Sequence, residues 1–346
     1  MNIFSALIDA SKIKAYYEAD TNRPPYVGEI FFPRRKQIGL DFSYIKGKQG
    51  LPVALVASGF DVDVLYRDRV GFETLSGQLP FFKEAYKITE EIRQKILSFN
   101  PEYRPMLMRT VFNDTNELID GAEVATERMR MALLSAGTIA IVQNGVNKNY
   151  NFGFDSAKQT KTLTTKWTED GADPIKDILN EKKEYKKYTK KDAKYLVANK
   201  AILDVLVTNA KIVEHFNKLP IPEYVTEEKA QAYVESVTGL TMILTDQQYV
   251  AARDTTKTAV DFYPDGKFTL TSTLDLGETL YGTTPEEADL MGDSSAADSV
   301  SIVNTGVTIT TWSEVDPVTV SVKASEVVLP TCPNIDLIRI VTYKTL

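Results

Sequence analysis

The fold is decided by residues 36–52, KQIGLDFSYIKGKQGLP, and by the return segment at residues 60–72, FDVDVLYRDRVGF. Every second residue from position 38 to 44 is apolar, which predicts a β-strand, and the glycine-rich segment after it predicts a turn. An isolated two-stranded ribbon is at best marginally stable in water. We therefore expect residues 36–80 to form a long β-ribbon that lies on another molecule, most simply a second copy of the chain. This favours an assembly protein over an enzyme.

The composition is that of an ordinary soluble globular protein. The chain has 346 residues, of which 43% are hydrophobic and 25% are charged, and this length predicts two subdomains. No apolar run approaches the ~20 residues that a membrane helix requires. The segment Met1–Ser5 lacks the pattern of a signal peptide. We expect synthesis in the cytoplasm and no contact with a membrane.

The net charge of −7 argues against a dedicated nucleic-acid-binding protein, which would usually carry a basic patch. The densest basic run is EKKEYKKYTKK at residues 181–191. On a predicted helix, Glu181 and Glu184 are interspersed with its lysines. The run therefore favours a solvated face over a contact with nucleic acid.

Residue types that support catalysis are scarce. A single cysteine, Cys332, excludes an internal disulfide and a cysteine-based zinc cluster. Any Ser-His-Asp arrangement has to use the single histidine, His215. Asp61 and Asp63 lack the glycine turn and the closing glutamate of a calcium loop. Phosphate-binding glycine loops are absent from the sequence as well, so we expect no catalytic residue, no cofactor and no metal.

Apolar periodicity and capping residues predict a mixture of helices and strands. The predicted helices are 113–136, 174–188, 200–216 and 227–238. The predicted strands are 138–143, 195–198, 240–244, 268–271, 319–323 and 337–341. Tight hairpin turns are expected at Asn144-Gly145 and Asp265-Gly266, and residues 282–305 are expected to form a surface loop. The fold class is α+β.

The order of these parts is similar to that of a known family. LPFFK at 79–83 ends the ribbon, and DPIKDI at 173–178 opens a helix. YPDGK at 263–267 and GETLYGTTPEE at 277–287 follow. In this order, over nearly the whole chain, the sequence resembles the major capsid protein E family of lambda-like tailed bacteriophages. The resemblance implies the HK-ninety-seven-type capsid fold.

The resemblance also implies a division into domains. Residues 1–35 would be the N-terminal arm and residues 36–83 the extended loop, which is the β-ribbon. The peripheral domain would combine residues 84–165 and 318–346, with a spine helix at 113–136. The axial domain would be residues 166–317.

The function implied by the resemblance is that of a major capsid protein. Such a protein assembles into pentamers and hexamers of an icosahedral head shell, which encloses double-stranded DNA without binding it specifically. Its partners would be copies of itself, a scaffolding protein, a portal protein and a decoration protein. It would be located in the virion capsid after assembly in the host cytoplasm. The alternatives are the shell of an encapsulin-like nanocompartment and, from another class, a soluble enzyme that uses His215.

Charged residues near the ends and the tip of the ribbon are the candidates for ion pairs between subunits. They are Arg34, Arg35, Lys46, Lys48, Asp61, Asp63, Arg67, Asp68 and Arg69. Solubility is an alternative role for Lys46 and Lys48, and a simple solvated face is an alternative for Asp61 and Asp63.

Overall fold

The structure, a computed structural model of the chain, combines helices with β-sheets and confirms the α+β class. None of the helices that it describes is both long and apolar enough to cross a lipid bilayer. The residues that it describes are 9–20, 23, 25–47, 72–98, 104–143, 145–218, 224–251, 257–292 and 299–344.

The elements of this part of the chain are as follows. The α-helices are α1 (Ala10–Ala19), α2 (Gly28–Phe31), α3 (Glu90–Ser98), α4 (Arg104–Ala136), α5 (Ser156–Gln159), α6 (Pro174–Thr189), α7 (Ile202–Thr208), α8 (Ala210–Asn217), α9 (Glu227–Thr238) and α10 (Pro285–Gly292). The strands are β1 (Arg34–Lys36), β2 (Asp41–Gly47), β3 (Phe72–Gln78), β4 (Phe81–Ile88), β5 (Thr138–Gln143), β6 (Val146–Asn151), β7 (Thr160–Thr162), β8 (Tyr195–Asn199), β9 (Thr241–Thr245), β10 (Gln248–Val250), β11 (Ala259–Asp261), β12 (Lys267–Thr271), β13 (Glu278–Tyr281), β14 (Val300–Val303), β15 (Val307–Glu314), β16 (Thr319–Thr331) and β17 (Ile338–Thr342).

The first of two compact units contains the described parts of residues 1–42, 77–130 and 277–331. Its sheet has the strand order β1-β13-β16-β15-β14, and β4 also pairs with β16. Strand β1 is parallel to β13, and the other pairs are antiparallel. Apolar residues of α1, α4 and the sheet share one core, which includes Ile119 and Val322. This core attaches α4 to the sheet.

The second unit contains the described parts of residues 43–76, 131–276 and 332–346. Its five-stranded sheet has the order β7-β17-β12-β8-β9, with parallel pairs at β7–β17 and β8–β9. The rings of Trp167 and Tyr343 stack with centroids 4.5 Å apart, and Phe268 lies against Trp167 at 5.5 Å. Most strands and helices of this unit lie close to the predicted positions. For the helices, the reason is that the capping residues are next to the helix in the sequence. Asp173, for example, accepts a hydrogen bond from the Lys176 N–H at the start of α6.

Helix α4 is longer than predicted, because it begins at Arg104 rather than at 113. Pro105 would ordinarily be expected to interrupt a helix. A proline in the first turn of a helix is tolerated, however, since the N–H groups there have no partner within the helix.

The predicted helix 200–216 is divided at Asn209. This residue has an extended backbone, and its side-chain oxygen accepts from the Lys211 N–H at 3.0 Å to begin α8. Its side-chain amide donates to the Ala172 carbonyl at 3.3 Å, and the residue is buried. Capping by asparagine competes with continuation of a helix. Here Asn209 ends α7 and caps the start of α8.

Three further predictions differ from the structure. Strand β2 begins at Asp41, because Gly39 has a φ of +91° that does not fit a strand. The turn at Asp265-Gly266 leads into β12, but β12 pairs with β8 and β17 and forms no hairpin with β11. Residues 282–305 contain α10 and β14 rather than loop alone.

The compact units also divide the chain at different places from the predicted domains. The predicted axial domain includes residues 277–317, yet β13 and β15 are hydrogen-bonded to β16 in the sheet of the first unit. Residues 131–165 belong to the second unit. The peripheral and axial positions, which refer to a shell, stay predictions.

Replacing Asn209 by alanine tests the origin of the α7–α8 break. We expect Asn209→Ala to lower the free energy of unfolding by about 1–2 kcal/mol, because it removes a cap and a buried hydrogen bond. Asn209→Asp keeps the cap acceptor but loses the amide donor, so a smaller loss is expected. The exposed Asn217 of α8 is the control, with a change within about 0.5 kcal/mol for Asn217→Ala. Urea unfolding measures all three, and equal losses at positions 209 and 217 would contradict this explanation.

Candidate functional site: the arm anchor and the ribbon base

Three consecutive basic residues, Arg34, Arg35 and Lys36, form β1 beside β13. The Arg34 side chain donates from Nε to Glu29 at 2.8 Å and from Nη1 to Glu123 of α4 at 2.7 Å. Both contacts lie within one chain. They join the segment before the ribbon to the long helix.

The next two cations also meet carboxylates. Arg35 donates to Glu278 at 2.7 Å on the exposed side of the sheet. Lys36 lies 2.7 Å from Glu287, which is buried and also accepts from the Thr284 N–H. The Glu287 N–H in turn donates to the Thr284 hydroxyl. This reciprocal pair is a capping box that begins α10, so Lys36 is bonded to a carboxylate that is already fixed in place.

A buried pair on α4 holds the backbone of the arm. The Gly28 N–H donates to Oε1 of Glu127 at 2.7 Å, while Oε2 of Glu127 lies 3.3 Å from Nη1 of Arg130. Arg130 also donates from Nε to the Thr279 hydroxyl at 2.9 Å. A Cβ at Gly28 would lie only 2.7 Å from the Arg130 Cβ. Only glycine permits this approach of the arm to the helix. We call Gly28, Glu29, Arg34, Glu123, Glu127 and Arg130 the arm anchor.

Burial determines the electrostatics of the arm anchor. Glu127 and Arg130 have no exposed surface. Burial raises the pKa of Glu127, and this is opposed by the charge of Arg130 and by the hydrogen bond from Gly28. The hydrogen bond from Arg34 holds the pKa of Glu29 below its ordinary value. Removing one member of a buried ion pair leaves the other charge uncompensated, so the anchor residues depend on one another.

A second buried carboxyl lies beside the anchor. Glu326 of β16 is 1% exposed, and its hydrogen-bonding neighbour is the Thr126 hydroxyl of α4 at 3.4 Å. Burial, together with the nearby charge of Glu123, raises the pKa of Glu326 well above its ordinary value. Burial therefore favours the uncharged form of this side chain.

The ribbon base consists of β2, β3 and the residues that join them to the first sheet. Strands β2 and β3 form a two-stranded sheet of their own. The Leu79 N–H donates to the Leu40 carbonyl at 2.9 Å. Phe42 is buried, and the Tyr44 ring stacks on Phe152 with centroids 6.1 Å apart. The expectation that the ribbon has nothing of its own to lie on is therefore wrong for its base, where Tyr44 contacts the same chain.

Apolar side chains at the ribbon base remain exposed. Ile38 is 89% exposed and Leu40 is 47% exposed. They lie between β1, which the arm anchor holds, and β2. An exposed apolar pair at this position is a candidate contact for another molecule.

The predicted contact residues fall into two groups. Arg34 and Arg35 pair with carboxylates of their own chain, as described above, and the role of each between subunits stays a prediction. Lys46 lies in β2, although its side chain is outside the described residues. The remaining candidates lie outside the described residues altogether: Lys48, Asp61, Asp63, Arg67, Asp68 and Arg69.

Sequence reasoning missed the carboxylates of the anchor and the role of Gly28. Helical spacing along α4 assigns Glu123 and Glu127 to the polar part of its surface. They are buried instead because the arm covers them. Their i, i+4 spacing was visible in the sequence, but the segment that covers them lies about a hundred residues earlier.

The two residues considered for catalysis have structural surroundings. His215 is exposed and its ring stacks on Tyr233 with centroids 4.2 Å apart. Cys332 is fully buried. The described part of the chain has no group of three or more His, Cys, Asp or Glu residues arranged to hold a metal ion.

The family is decided by a match over residues 9–343 to the family described as phage major capsid protein E. The chain belongs to this family. Among solved structures, it is similar to a protein described as a prophage capsid protein of E. coli CFT073, with a TM-score of 0.61 and 14% identity over 97% of this chain and 99% of that one. No curated protein matches the sequence.

Two other solved structures share the fold. A phage-related protein from Bordetella bronchiseptica RB50 has a TM-score of 0.53 and 10% identity, with 97% of each chain covered. The capsid of cyanophage A-1(L) has a TM-score of 0.53 and 14% identity, with 94% of this chain and 95% of that chain covered. The resemblance to the HK-ninety-seven-type capsid fold is thereby confirmed.

Membership of the family determines the class of function. The protein is a major capsid protein that self-assembles into the head shell of a phage, and its location is the virion capsid. It is a structural protein and not an enzyme, so the alternative that uses His215 is wrong. The family match also favours a phage shell over an encapsulin-like compartment.

The first test of the arm anchor is the substitution of Glu127. We expect Glu127→Ala to lower the free energy of unfolding by about 3–5 kcal/mol, because Arg130 is left buried without its partner. Tryptic cleavage after Arg34 and Arg35 should become faster. Glu127→Gln retains an acceptor for the Gly28 N–H and should release the arm less.

The control for the anchor is Glu91→Ala, which removes an exposed i, i+4 pair with Lys95. Exposed pairs contribute little to stability, so only a small shift of the unfolding midpoint is expected. Equal effects of Glu127→Ala and Glu91→Ala would contradict the anchor.

The second test uses the buried carboxyl of Glu326, whose pKa is raised by burial. Its stabilising protonated form is fully present below the ordinary carboxyl pKa of about 4.3, and its contribution is lost as pH rises through the higher folded-state pKa. Glu326→Gln stays uncharged at every pH. We therefore expect the variant to gain stability relative to the wild type between pH 4.5 and pH 7.5, as measured by urea unfolding.

Glu286→Gln is the control with the opposite sign. Burial acts to raise the pKa of Glu286, but hydrogen bonds from Lys323 and Ser325 hold it below its ordinary value. This variant should lose stability relative to the wild type as pH rises from 3 to 6. A pH-independent difference for Glu326→Gln would show that the pKa of this carboxyl is not raised in the folded protein.

Proposed function

We propose that the free capsid protein is structurally incomplete, and that each subunit lays its ribbon and arm across a neighbour in the pentamers and hexamers of an icosahedral shell. The observation that supports this proposal is the ribbon base. There, β2 and β3 pair only with each other in the described chain, and Ile38 is left 89% exposed. A two-stranded ribbon of this kind gains its stability from a further surface.

The arm anchor gives the ribbon a fixed starting point. Ion pairs of Arg34 and Lys36 hold β1 on the first unit, and β2 begins five residues after Lys36. A ribbon that leaves a rigid base reaches the same place on each neighbour, which favours a regular head-to-tail contact that closes into rings. Obligate interfaces of this kind commonly exceed ~2,000 Å².

The charged residues of the ribbon are proposed to pair across this contact. Arg35 is exposed beside Glu278, so it can exchange partners at little cost. Lys46, Lys48, Asp61, Asp63, Arg67, Asp68 and Arg69 are the other candidates. Arg34 is the weakest of the set, because its guanidinium already has two carboxylate partners in its own chain.

The remaining parts of the proposal concern the shell as a whole. The shell encloses double-stranded DNA, and its partners are a scaffolding protein, a portal protein and a decoration protein. Assembly takes place in the host cytoplasm. During maturation the subunits rotate against one another while the ribbon acts as a hinge. The peripheral and axial roles in the shell are proposed for the two compact units, whose bounds differ from those predicted for the domains.

The experiment is shell assembly by purified variants, observed by negative-stain microscopy. Ile38→Glu should leave the subunit folded, since this side chain is exposed, and should reduce closed shells at least tenfold by placing a charge in an apolar contact. Ile38→Val is the matched control and should assemble normally. Arg67→Glu should impair assembly in the same way.

Circular dichroism checks that each variant is folded. Normal shells from Ile38→Glu would overturn the proposed contact of the ribbon base. Wild-type protein that remains monomeric under every assembly condition would overturn the proposed function itself.

A further inference from the structure

The lysine run at residues 181–191 has a different environment from the one that its sequence predicts. Glu181, which was expected among the lysines on a solvated face, points inward and is 6% exposed. It accepts from Nε and Nη2 of Arg339 at 2.8 and 2.6 Å. Arg339 is itself buried, so this ion pair serves the core of the second unit. One of the two acidic residues expected within the run is therefore missing from the surface.

The surface that remains is strongly basic. Its exposed cations are Lys183, Lys186, Lys187, Lys190, Lys191 and Lys194, which we call the lysine face. Two exposed carboxylates lie among them. Glu184 pairs with Lys187, and Asp192 pairs with Lys186. Four positive charges remain in excess, on a chain whose net charge is −7.

The helix dipole explains only part of this arrangement. Lys186 and Lys187 lie in the last turn of α6, where cations stabilise the helix C-terminus. Lys183 lies one turn earlier, and Lys191 and Lys194 lie beyond the helix end. None of these three has an ion pair in the described part of the chain. Their charges are available to a partner.

The face lacks the groups that a protein partner would need. The large apolar side chains that are exposed in the described chain lie elsewhere, and none is in α6 or in the segment between α6 and β8. Protein interfaces usually have aromatic or apolar residues at their centre. A surface of exposed ammonium groups without such a centre fits a hydrated polyanion.

We infer that the lysine face binds the phosphate backbone of double-stranded DNA. This inference rests on the proposed function, in which the shell encloses that polymer. Lys183 and Lys187 lie on one side of α6, and Lys190 is its C-cap in the left-handed conformation, so the three lysines are spread over about 10 Å of the helix axis. That length matches roughly three phosphates of one strand at 3.4 Å of rise each. Contacts to phosphate carry no base information, so the binding is independent of sequence.

The acidic balance of the chain limits how strongly DNA is held. Net negative charge repels the polymer from the subunit as a whole, whereas the lysine face attracts it at one place. The expected result is a weak contact that depends strongly on salt.

The experiment uses unassembled full-length subunits and a 30-base-pair duplex of mixed sequence with a fluorescent label. Binding is followed by fluorescence anisotropy between 50 and 200 mM NaCl. The triple variant Lys183→Ala, Lys191→Ala, Lys194→Ala should bind at least about tenfold more weakly at 50 mM salt. The slope of log K against log salt should fall by about 2 to 3, since each phosphate contact contributes about 0.9.

The matched control removes three exposed lysines of the same unit that already have carboxylate partners. It is Lys200→Ala, Lys211→Ala, Lys218→Ala, whose side chains pair with Glu227 or Glu214. Its affinity should change less than twofold. Thermal unfolding midpoints verify that both triple variants are folded.

Three outcomes contradict the inference. Equal affinity of the two triple variants would show that DNA responds to total charge alone. Unchanged DNA binding by the first variant would remove the lysine face as its site. If DNA binding by that variant is unchanged and the variant fails to form closed shells with a co-expressed scaffold, the face contacts a protein instead. Wild-type shell formation, scored separately, keeps the proposed function distinguishable from this inference.

Discussion

The burial of the Glu127–Arg130 pair against the Gly28 backbone is the constraint on which the rest of the arm depends. A carboxylate without exposed surface needs hydrogen-bond donors at both oxygens, and here they come from an arginine on its own helix and from an amide of the arm. Since the two oxygens join two segments about a hundred residues apart, the arm cannot leave without exposing a buried charge pair. Arg34 repeats this arrangement with Glu123 and Glu29.

The attachment of the arm fixes the point at which the ribbon begins. The contact between Leu79 and Leu40 and the stacking of Tyr44 on Phe152 fix the first residues of the ribbon. The apolar surface at Ile38 remains open. The proposed contact between subunits requires this combination, because every copy has to present the contact surface in the same way. Binding energy spent on ordering a loose arm would weaken the contact between subunits.

Local signals in the sequence predicted much of the fold, including the cap at Asp173, the strands β5 and β6, which form an antiparallel pair, and the long helix. The predictions failed where residues far apart in the sequence determine whether a side chain is buried or paired. In the sequence, Glu181 and Glu127 both resemble surface residues. In the structure, Glu181 is paired with Arg339, and Glu127 is covered by the arm. Asn209 carried a local signal, but its buried bond to Ala172 could not be seen in the sequence. The arm anchor could therefore not be predicted, whereas the proposal that the ribbon needs a partner surface starts from strand periodicity alone.

The most direct test of the account is amide hydrogen exchange across residues 41–78, compared between free subunits and assembled shells. If neighbours cover the ribbon, these amides should exchange at least about a hundredfold more slowly in the shell, while the amides of α4 near Glu127 should be protected in both states. Equal exchange of the ribbon in the two states would contradict the claim that its stability comes from sister subunits.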